Sequence, residues 1–415
     1  MHRYNSILTA IGLALDSLRS HKLRTFLTLL GVIIGVSSVV LVGAAIDGMG
    51  SFAEATAAKA FGSESYLIAQ IASAGRMTRK QFQAKLKYNK EIRREDLEYL
   101  KLVTGDKILY SPYQQRFGDV KGEGLTLEAC SVIGVSATLP EIRDIVVVDG
   151  RFFTDQEERS ATPVAVVGDE IRTYFFPGVS PLGKKIKILG LDLTIVGVQE
   201  KLGSAFGRDQ DNAVYVSWPI FTRMFGNVRS MSIFGRPRPE TKLGLDESLD
   251  TTRAALRTRF KTHVGAVDNF DFLTPDSVRS FIDQLLGLVK VIVVPVTGIS
   301  LVVGGIVIMN IMLVSVTERT REIGIRKALG ATRGDIMIQF IMESLIMSAI
   351  GGALGLGLGA LLALAASQAL GFSAQVSGVY MVLAIVVSSV TGVVSGWYPA
   401  LRAARLDPVE AMRVE

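Results

Sequence analysis

A chain of 415 residues has room for two or three domains, but 49% apolar residues and a mean hydropathy of +0.37 are too apolar for an ordinary soluble enzyme and point to a bilayer. The net charge of +6 sits largely in short segments beside apolar runs, 12 basic against 7 acidic residues, while residues 47–290 are nearly balanced at 33 and 31. No basic patch with interleaved aromatics is left over, which excludes a nucleic-acid partner.

In chain order, Ile7, Leu8, Ile11, Ala14, Leu15 and Leu18 recur at helical spacing, with Ser6, Asp16, Ser17 and Arg19 off that stripe. This predicts an interfacial helix within residues 1–25, along the inner leaflet. Residues 26–46 are the first of four apolar runs, and 21 residues at about 1.5 Å each cross a hydrocarbon core of roughly 30 Å. That length exceeds the roughly 7–15-residue apolar region of a cleaved signal peptide. The other spans are residues 291–316, 336–370 and 379–398, with Glu343 the one charge in all four. Lys and Arg number four in residues 1–25, five in 317–335, three in 399–415 and none in 371–378. Positive residues are retained on the cytoplasmic side, so both termini and the 317–335 loop are expected inside, with 47–290 and the short 371–378 loop outside.

Within 47–290, short β-rich runs recur at 65–71, 107–110, 131–135, 163–167, 185–188, 193–198, 213–216, 231–235 and 269–273, interrupted by helical stretches at 93–103 and 245–263. The fold class expected is therefore a polytopic α-helical membrane protein with four transmembrane helices and a large α+β extracytoplasmic domain between helices 1 and 2. Residues 48–61 and 278–290 read as helical stalks continuing the first and second spans, with Pro295 placed to kink the second. Residues 73–90 lack a β pattern and read as an exposed loop.

Small residues mark close helix packing: Gly31 and Gly35 in the first span, Gly351, Gly355 and Gly359 in the third with Gly352 and Gly357 nearby, and Gly392 and Gly396 in the fourth. Glu343 has two readings. At the bilayer centre it would be a proton or substrate site, but seven residues separate it from Asp335. That places it near the cytoplasmic interface, where it can snorkel or bond to the charged loop. The loop itself interleaves Arg319, Arg321, Arg326, Lys327 and Arg333 with three acidic residues and with Ile323, Ile325, Ala328 and Leu329. Such a pattern suits either a short amphipathic helix at a membrane surface or partner groove, or a solvated turn.

Bond-breaking chemistry finds no support. Gly178 to Lys185 matches the Gly-x-x-x-x-Gly-Lys half of a phosphate loop, but Lys185 stands where Ser or Thr is needed, and Pro181 limits the amide cradle. Of three histidines, His2 and His21 fall in the inside segment, leaving His263 without metal or triad partners. Acidic pairs such as Glu157 with Glu158, or Asp209 with Asp211, fall in hydrophilic loops, and Cys130, the sole cysteine, reads as an apolar filler on a strand. No catalytic residue, metal ligand or cofactor site is assigned to the chain.

Four stretches together resemble the MacB/FtsX-like permeases, the type VII ABC transporters. They are the run from Glu318 to Ile336; His21 to Gly35; Asp149 to Thr154 with Phe176 to Ile186 and Thr194 to Val198, similar to the MacB-type periplasmic core domain; and Pro399-Ala400 with Asp407 to Arg413. The resemblance implies a non-catalytic permease subunit in the cell inner membrane, with ATP and magnesium bound by a separate cytoplasmic ATPase subunit. It also implies a homodimer or heterodimer of permeases and an outer domain of two porter-like halves, about 62–147 and 216–277, around an inserted subdomain at about 148–215. The loop then becomes a coupling helix within 317–335, with Glu318, Arg319, Arg321, Glu322, Ile323, Gly324, Ile325, Arg326, Lys327, Ala328, Leu329 and Gly330 as its ATPase-coupling residues. Reversing Arg326 and Lys327 to Glu is expected to abolish outer-domain function while leaving insertion intact. The implied mechanism is mechanotransmission, serving export with a periplasmic adaptor and an outer-membrane channel. The alternatives are lipoprotein extraction of the LolC/LolE kind and FtsX-like regulation of a cell-wall hydrolase.

Overall fold

The structure is a computed structural model describing residues 22–62, 64–205, 208–370 and 377–413. The interfacial helix expected in residues 1–25 lies almost wholly outside the described residues, as does most of the 371–378 loop. The chain forms two compact units, one containing the long apolar helices and the other comprising Ala53–Ile282.

Helix α1 (Lys22–Phe61) leads into the second unit, which runs β1 (Tyr66–Ala69), α2 (Arg79–Tyr88), α3 (Arg94–Thr104), β2 (Ile108–Gly122), β3 (Leu125–Val135), α4 (Leu139–Arg143), β4 (Val147–Gly150), α5 (Asp155–Arg159), β5 (Val164–Val167), α6 (Asp169–Phe175), β6 (Lys185–Ile188) and β7 (Leu191–Gln199). It continues with β8 (Ser204–Ala205), β9 (Arg208–Asp209), β10 (Ala213–Ser217), α7 (Trp218–Phe225), β11 (Ser232–Pro237), α8 (Leu245–Arg259) and β12 (Asp271–Leu273). The remaining helices are α9 (Pro275–Glu318), α10 (Thr320–Ala328), α11 (Arg333–Leu370), α12 (Gly378–Arg405) and α13 (Pro408–Arg413).

Ten strands of the second unit form one sheet in the order β12-β1-β11-β2-β3-β10-β5-β7-β4, with β6 paired to both β2 and β7. Among the described strands, β3 with β10 and β5 with β7 are parallel and the other pairs antiparallel. Strands from the stretch 148–215 thus join the same sheet as those on either side of it. Alternate residues of β3 feed two buried clusters, Cys130 and Val132 one, Ile133 and Val135 the other, as a pleat with covered faces requires. Cys130 is buried among them, and burial pushes its thiol up to about 11, so it is an inert filler. Helix α8 is fastened to the sheet by hydroxyls: Thr252 Oγ1 lies 2.7 Å from the Tyr66 hydroxyl and 2.6 Å from that of Tyr110. Gly183 donates its amide to Ile195 O at 2.8 Å and Lys184 to Pro181 O at 3.0 Å. Those two amides are therefore committed to protein carbonyls, and the phosphate-loop look-alike is a turn before β6.

Two expectations need correction. Residues 79–88, read as loop, form helix α2, with the Thr78 side chain and Gln81 in a reciprocal N-terminal cap. The helix escaped notice because its apolar residues do not form a core-facing stripe. The strand expected at 107–110 runs on to Gly122, because polar residues such as Gln114 to Arg116 pair across to β3.

Among the described residues, four helices are long and apolar enough to cross a membrane: 29–52 of α1, and α9, α11 and α12. The last extends through Pro399 to Arg405, seven residues beyond the expected end at 398. Of the glycines read from sequence as packing positions, all but Gly357, which meets open space, face a neighbouring helix. A Cβ on Gly31 would stand 2.8 Å from the Gly304 Cα, and one on Gly35 2.8 Å from Leu301; on Gly351, Gly355 and Gly359 it would press on Val32, Val36 and Val40 of α1 at 3.0, 2.9 and 2.9 Å. Between α11 and α12 the fit is closer, because Gly392 abuts the Ser348 hydroxyl, Gly396 that of Ser344, and Gly352 that of Ser388. Only glycine permits backbones this near.

Candidate functional site

The charged segment between α9 and α11 is punctuated by its own sequence. Helix α9 ends at Glu318, and Arg319 breaks regular geometry before α10 begins. At the other end Gly330 takes φ +102°, its amide bonding Lys327 O at 3.1 Å while Ala331 bonds Arg326 O at 3.0 Å. This is the paired closure of a helix ending on a left-handed glycine. Thr332 and Asp335 then cap α11 reciprocally, the Asp335 amide on Thr332 Oγ1 at 3.3 Å and the Thr332 amide on Asp335 Oδ2 at 3.0 Å. Leu-Gly-Ala-Thr-Arg-Gly-Asp is therefore a stop followed at once by a start.

Helix α10 is held on its inner side by polar bonds and close packing. Arg319 reaches Glu343 of α11 at 3.5 Å, and Glu343 is only 3% exposed. Of the two sequence readings of Glu343, the bond to the charged loop is the one observed. Arg326 donates to Gln339 Oε1 of α11 at 2.8 Å. Lys327 Nζ donates to Ala404 O at 2.9 Å and Leu406 O at 2.6 Å, placing a cation on carbonyls that the end of α12 leaves without intrahelical donors. A Cβ on Gly324 would lie 2.8 Å from the Ala411 Cβ, so α13 packs directly on the α10 backbone. Ile323 is buried with Val316, Ile336, Phe340 and Ala403 in the helical core.

The outer side is a single arc. At 100° per residue, Arg321, Glu322, Ile325, Ala328 and Leu329 share about a third of the helix circumference, and all are exposed, Leu329 at 83%. Glu318 and Gly330 are exposed at the two ends. The residues named from sequence therefore divide. Ile323, Gly324, Arg326, Lys327 and Arg319 face the protein, whereas Arg321, Glu322, Ile325, Ala328 and Leu329 face away. Sequence reading missed Gln339, Ala404, Leu406 and Ala411, which carry the inner contacts. The last three lie 77 or more residues from their partners, and no periodic signal reports such pairings.

Elsewhere, no group of three or more metal-ligating side chains occurs among the described residues. In the second unit, Arg151 grips Glu157 through two bonds of 2.7 Å. That contact, with a cap from Thr154, lowers the Glu157 carboxyl to about 2.

Among the described residues, four membrane-length helices, a single large α+β domain after the first of them and a clamped amphipathic helix between the second and third define the architecture of an integral membrane protein. Family models agree along most of the chain: residues 25–257 match the MacB-like periplasmic core domain, and residues 296–408 the FtsX-like permease C-terminal domain. The chain is 32% identical over 419 residues to the uncharacterized ABC transporter permease YknZ of Bacillus subtilis, covering 99% of this chain and 100% of that one. It is 38% identical over 290 residues to the macrolide export ATP-binding/permease protein MacB of Bdellovibrio bacteriovorus, covering 68% of this chain and 44% of the relative. With MacB of Acinetobacter baylyi it shares 33% identity over 98% of this chain and 59% of the relative. The chain thus spans about half the length of those two relatives. It belongs to the MacB/FtsX-like family of ABC transporter permeases.

Proposed function

We propose that this chain is the permease subunit of an ABC transporter that transmits ATP-driven conformational change across the inner membrane to its periplasmic domain. In this reading the termini and α10 are cytoplasmic, a separate ATPase subunit binds ATP and magnesium, and two permease copies stand above two ATPases. The observation that carries it is the two-sidedness of α10. One side is clamped to α11, α12 and α13 by Arg319, Arg326, Lys327 and Gly324, and the other presents the apolar pair Ile325 and Leu329 flanked by Arg321 and Glu322. A helix docked in a partner's groove through that arc moves its anchors with it, and the interlocked glycines and serines of α11 and α12 let them move as a body. Among the described residues, the buried hydroxyls of Ser344, Ser348 and Ser388 are bonded within their own helices and pressed against facing glycines, which favours transmission of force over passage of cargo through the spans.

Export is the function best supported, since the MacB relatives are named for macrolide export, and a periplasmic adaptor and an outer-membrane channel are the further partners we propose for it. Arg326 and Lys327 act here by holding α10, so their reversal to Glu uncouples the machine from inside. The test is cysteine cross-linking to the ATPase subunit in membranes, with Cys130 first replaced by Ala. Leu329→Cys is expected to form an adduct with the ATPase and Ile323→Cys none; the opposite pattern would sink the assignment.

A further inference from the structure

Helix α2 is unlike the other described helices of eight or more residues in having no buried side chain. Every residue from Arg79 to Tyr88 is exposed except Lys85, half-buried against Asp271, whose carboxylate it meets at 2.7 Å. Ten residues are too few for a helix stable by itself in water, and this one is fixed by polar bonds at its C-terminal end. Asn89 Nδ2 donates to Gln70 O at 2.6 Å, the Lys90 amide to Asn269 O at 2.7 Å, and the Tyr88 hydroxyl to Val267 O at 2.8 Å. The fold thus holds in place a helix that gives nothing to the core.

Two features describe what this surface receives. Its charge is one-sided, because residues 65–90 contain Arg76, Arg79, Lys80, Lys85, Lys87 and Lys90 and no acidic residue. Its apolar groups are presented, not buried: Phe82 is 46% exposed, Leu86 50%, Tyr88 52% and the adjoining Val267 77%. Beside the C-terminal end of the helix opens a polar groove of about 510 Å³, lined among others by Leu86, Lys87, Tyr88, Lys90 and Phe260. Of its other charged lining, Arg93 and Arg259 are paired with Glu91 and Asp96 and Glu95 adds one carboxylate, whereas Lys87 and Lys90 make no ion pair among the described residues, so the unpaired charge at the helix end is net basic.

We infer that α2 and this groove are a docking site for an acidic segment of a partner protein, carboxylates meeting Lys87 and Lys90 and an apolar side chain seated against Leu86 and Tyr88. Charge complementarity selects the acidic partner, and geometry favours protein over lipid. Phe82 and Leu86 lie one turn apart on one side of the helix, but Tyr88 follows Leu86 by about 200°. A flat bilayer engages one side of a helix, whereas a protein segment can wrap its end. The site lies on the outer domain and does not depend on the coupling role of α10, so its failure would leave that role standing.

The test is photo-cross-linking in growing cells from a benzoyl-phenylalanine placed at Leu86 of the full chain, with the exposed Phe117 as control position, and sequencing of the adduct. The expected result is an adduct from position 86, absent from 117, that maps to a net-acidic segment of a different polypeptide. Its yield should fall at least about tenfold with Lys87→Glu plus Lys90→Glu and persist with Lys87→Arg plus Lys90→Arg. Adducts with lipid only, with a second copy of this chain only, or with a segment indifferent to the charge reversal would overturn the proposal, as would no adduct at all. An unchanged thermal transition of the reversed variant separates loss of docking from loss of fold.

Discussion

Replacing Lys327 with Met keeps the aliphatic stem and removes two bonds, to Ala404 O at 2.9 Å and to Leu406 O at 2.6 Å. Hydrogen bonds to a charged donor contribute about 1.5–3 kcal/mol each when well shielded. Lys327 is half-exposed, and the last carbonyls of α12 regain water when the cation leaves. A total near 1.5 kcal/mol is therefore the appropriate magnitude, about tenfold in a local opening equilibrium. The loss is confined to the junction of α12 and α13, because α12 is separately locked to α11 by Gly392 on Ser348 and Gly396 on Ser344. Hydrogen exchange of the detergent-solubilised protein should show amides of residues 403–413 exchanging about tenfold faster in Lys327→Met, with α11 unchanged and Lys327→Arg close to the parent. Unaltered exchange over 403–413 would refute the view that this lysine ties α10 to the end of α12.

Three further outcomes follow from contacts elsewhere. Gly355→Leu drives a side chain into Val36 and the Ile33 carbonyl, both 2.9 Å from the Cβ position; overpacking of this kind costs about 1–3 kcal/mol and should lower the thermal midpoint of the full chain, whereas Gly357→Leu, which meets open space, should not. Thr252→Val leaves the Tyr110 and Tyr66 hydroxyls short of a buried partner, a loss of about 1–3 kcal/mol readable as a reduced denaturation midpoint. Arg151→Ala removes the contact that holds Glu157 at about 2 against an ordinary 4.5. Because that carboxyl is depressed in the folded state, its contribution is present above 4.5 and fades as pH falls toward 2. With Arg151 about half exposed the effect is screened to at most about 1 kcal/mol, so the variant's deficit at neutral pH should shrink across that acidic window.

Much of the architecture is legible because membrane helices and their punctuation are local signals. Hydropathy marks the four long helices; Gly330, Thr332 and Asp335, where α10 stops and α11 starts, are equally local signals but went unread within the loop expected at 317–335. The partner of Glu343 was legible too, since seven residues from Asp335 place it within reach of the charged loop. What could not be read is long-range. Lys327 and Ala404 look like an ordinary cation and an ordinary alanine until the chain brings them together. Gly324 carries no sign of Ala411, and α2 lacks the apolar stripe that periodicity detects because nothing in the fold covers it. The inner and outer sides of α10 differ by partners, not by residue type: Arg321 and Arg326 are indistinguishable in sequence and opposite in orientation.

The central claim is that the outward arc of α10 receives force from an ATPase while its inward side passes that force on. The most direct measurement is permease-dependent ATP hydrolysis by the reconstituted complex carrying Ile325→Asp with Leu329→Asp, substitutions on exposed positions that leave the clamp of Arg319, Arg326 and Lys327 in place. Loss of permease-dependent hydrolysis, with the thermal midpoint of the permease unchanged, is the predicted result. Normal permease-dependent hydrolysis in that variant would contradict it.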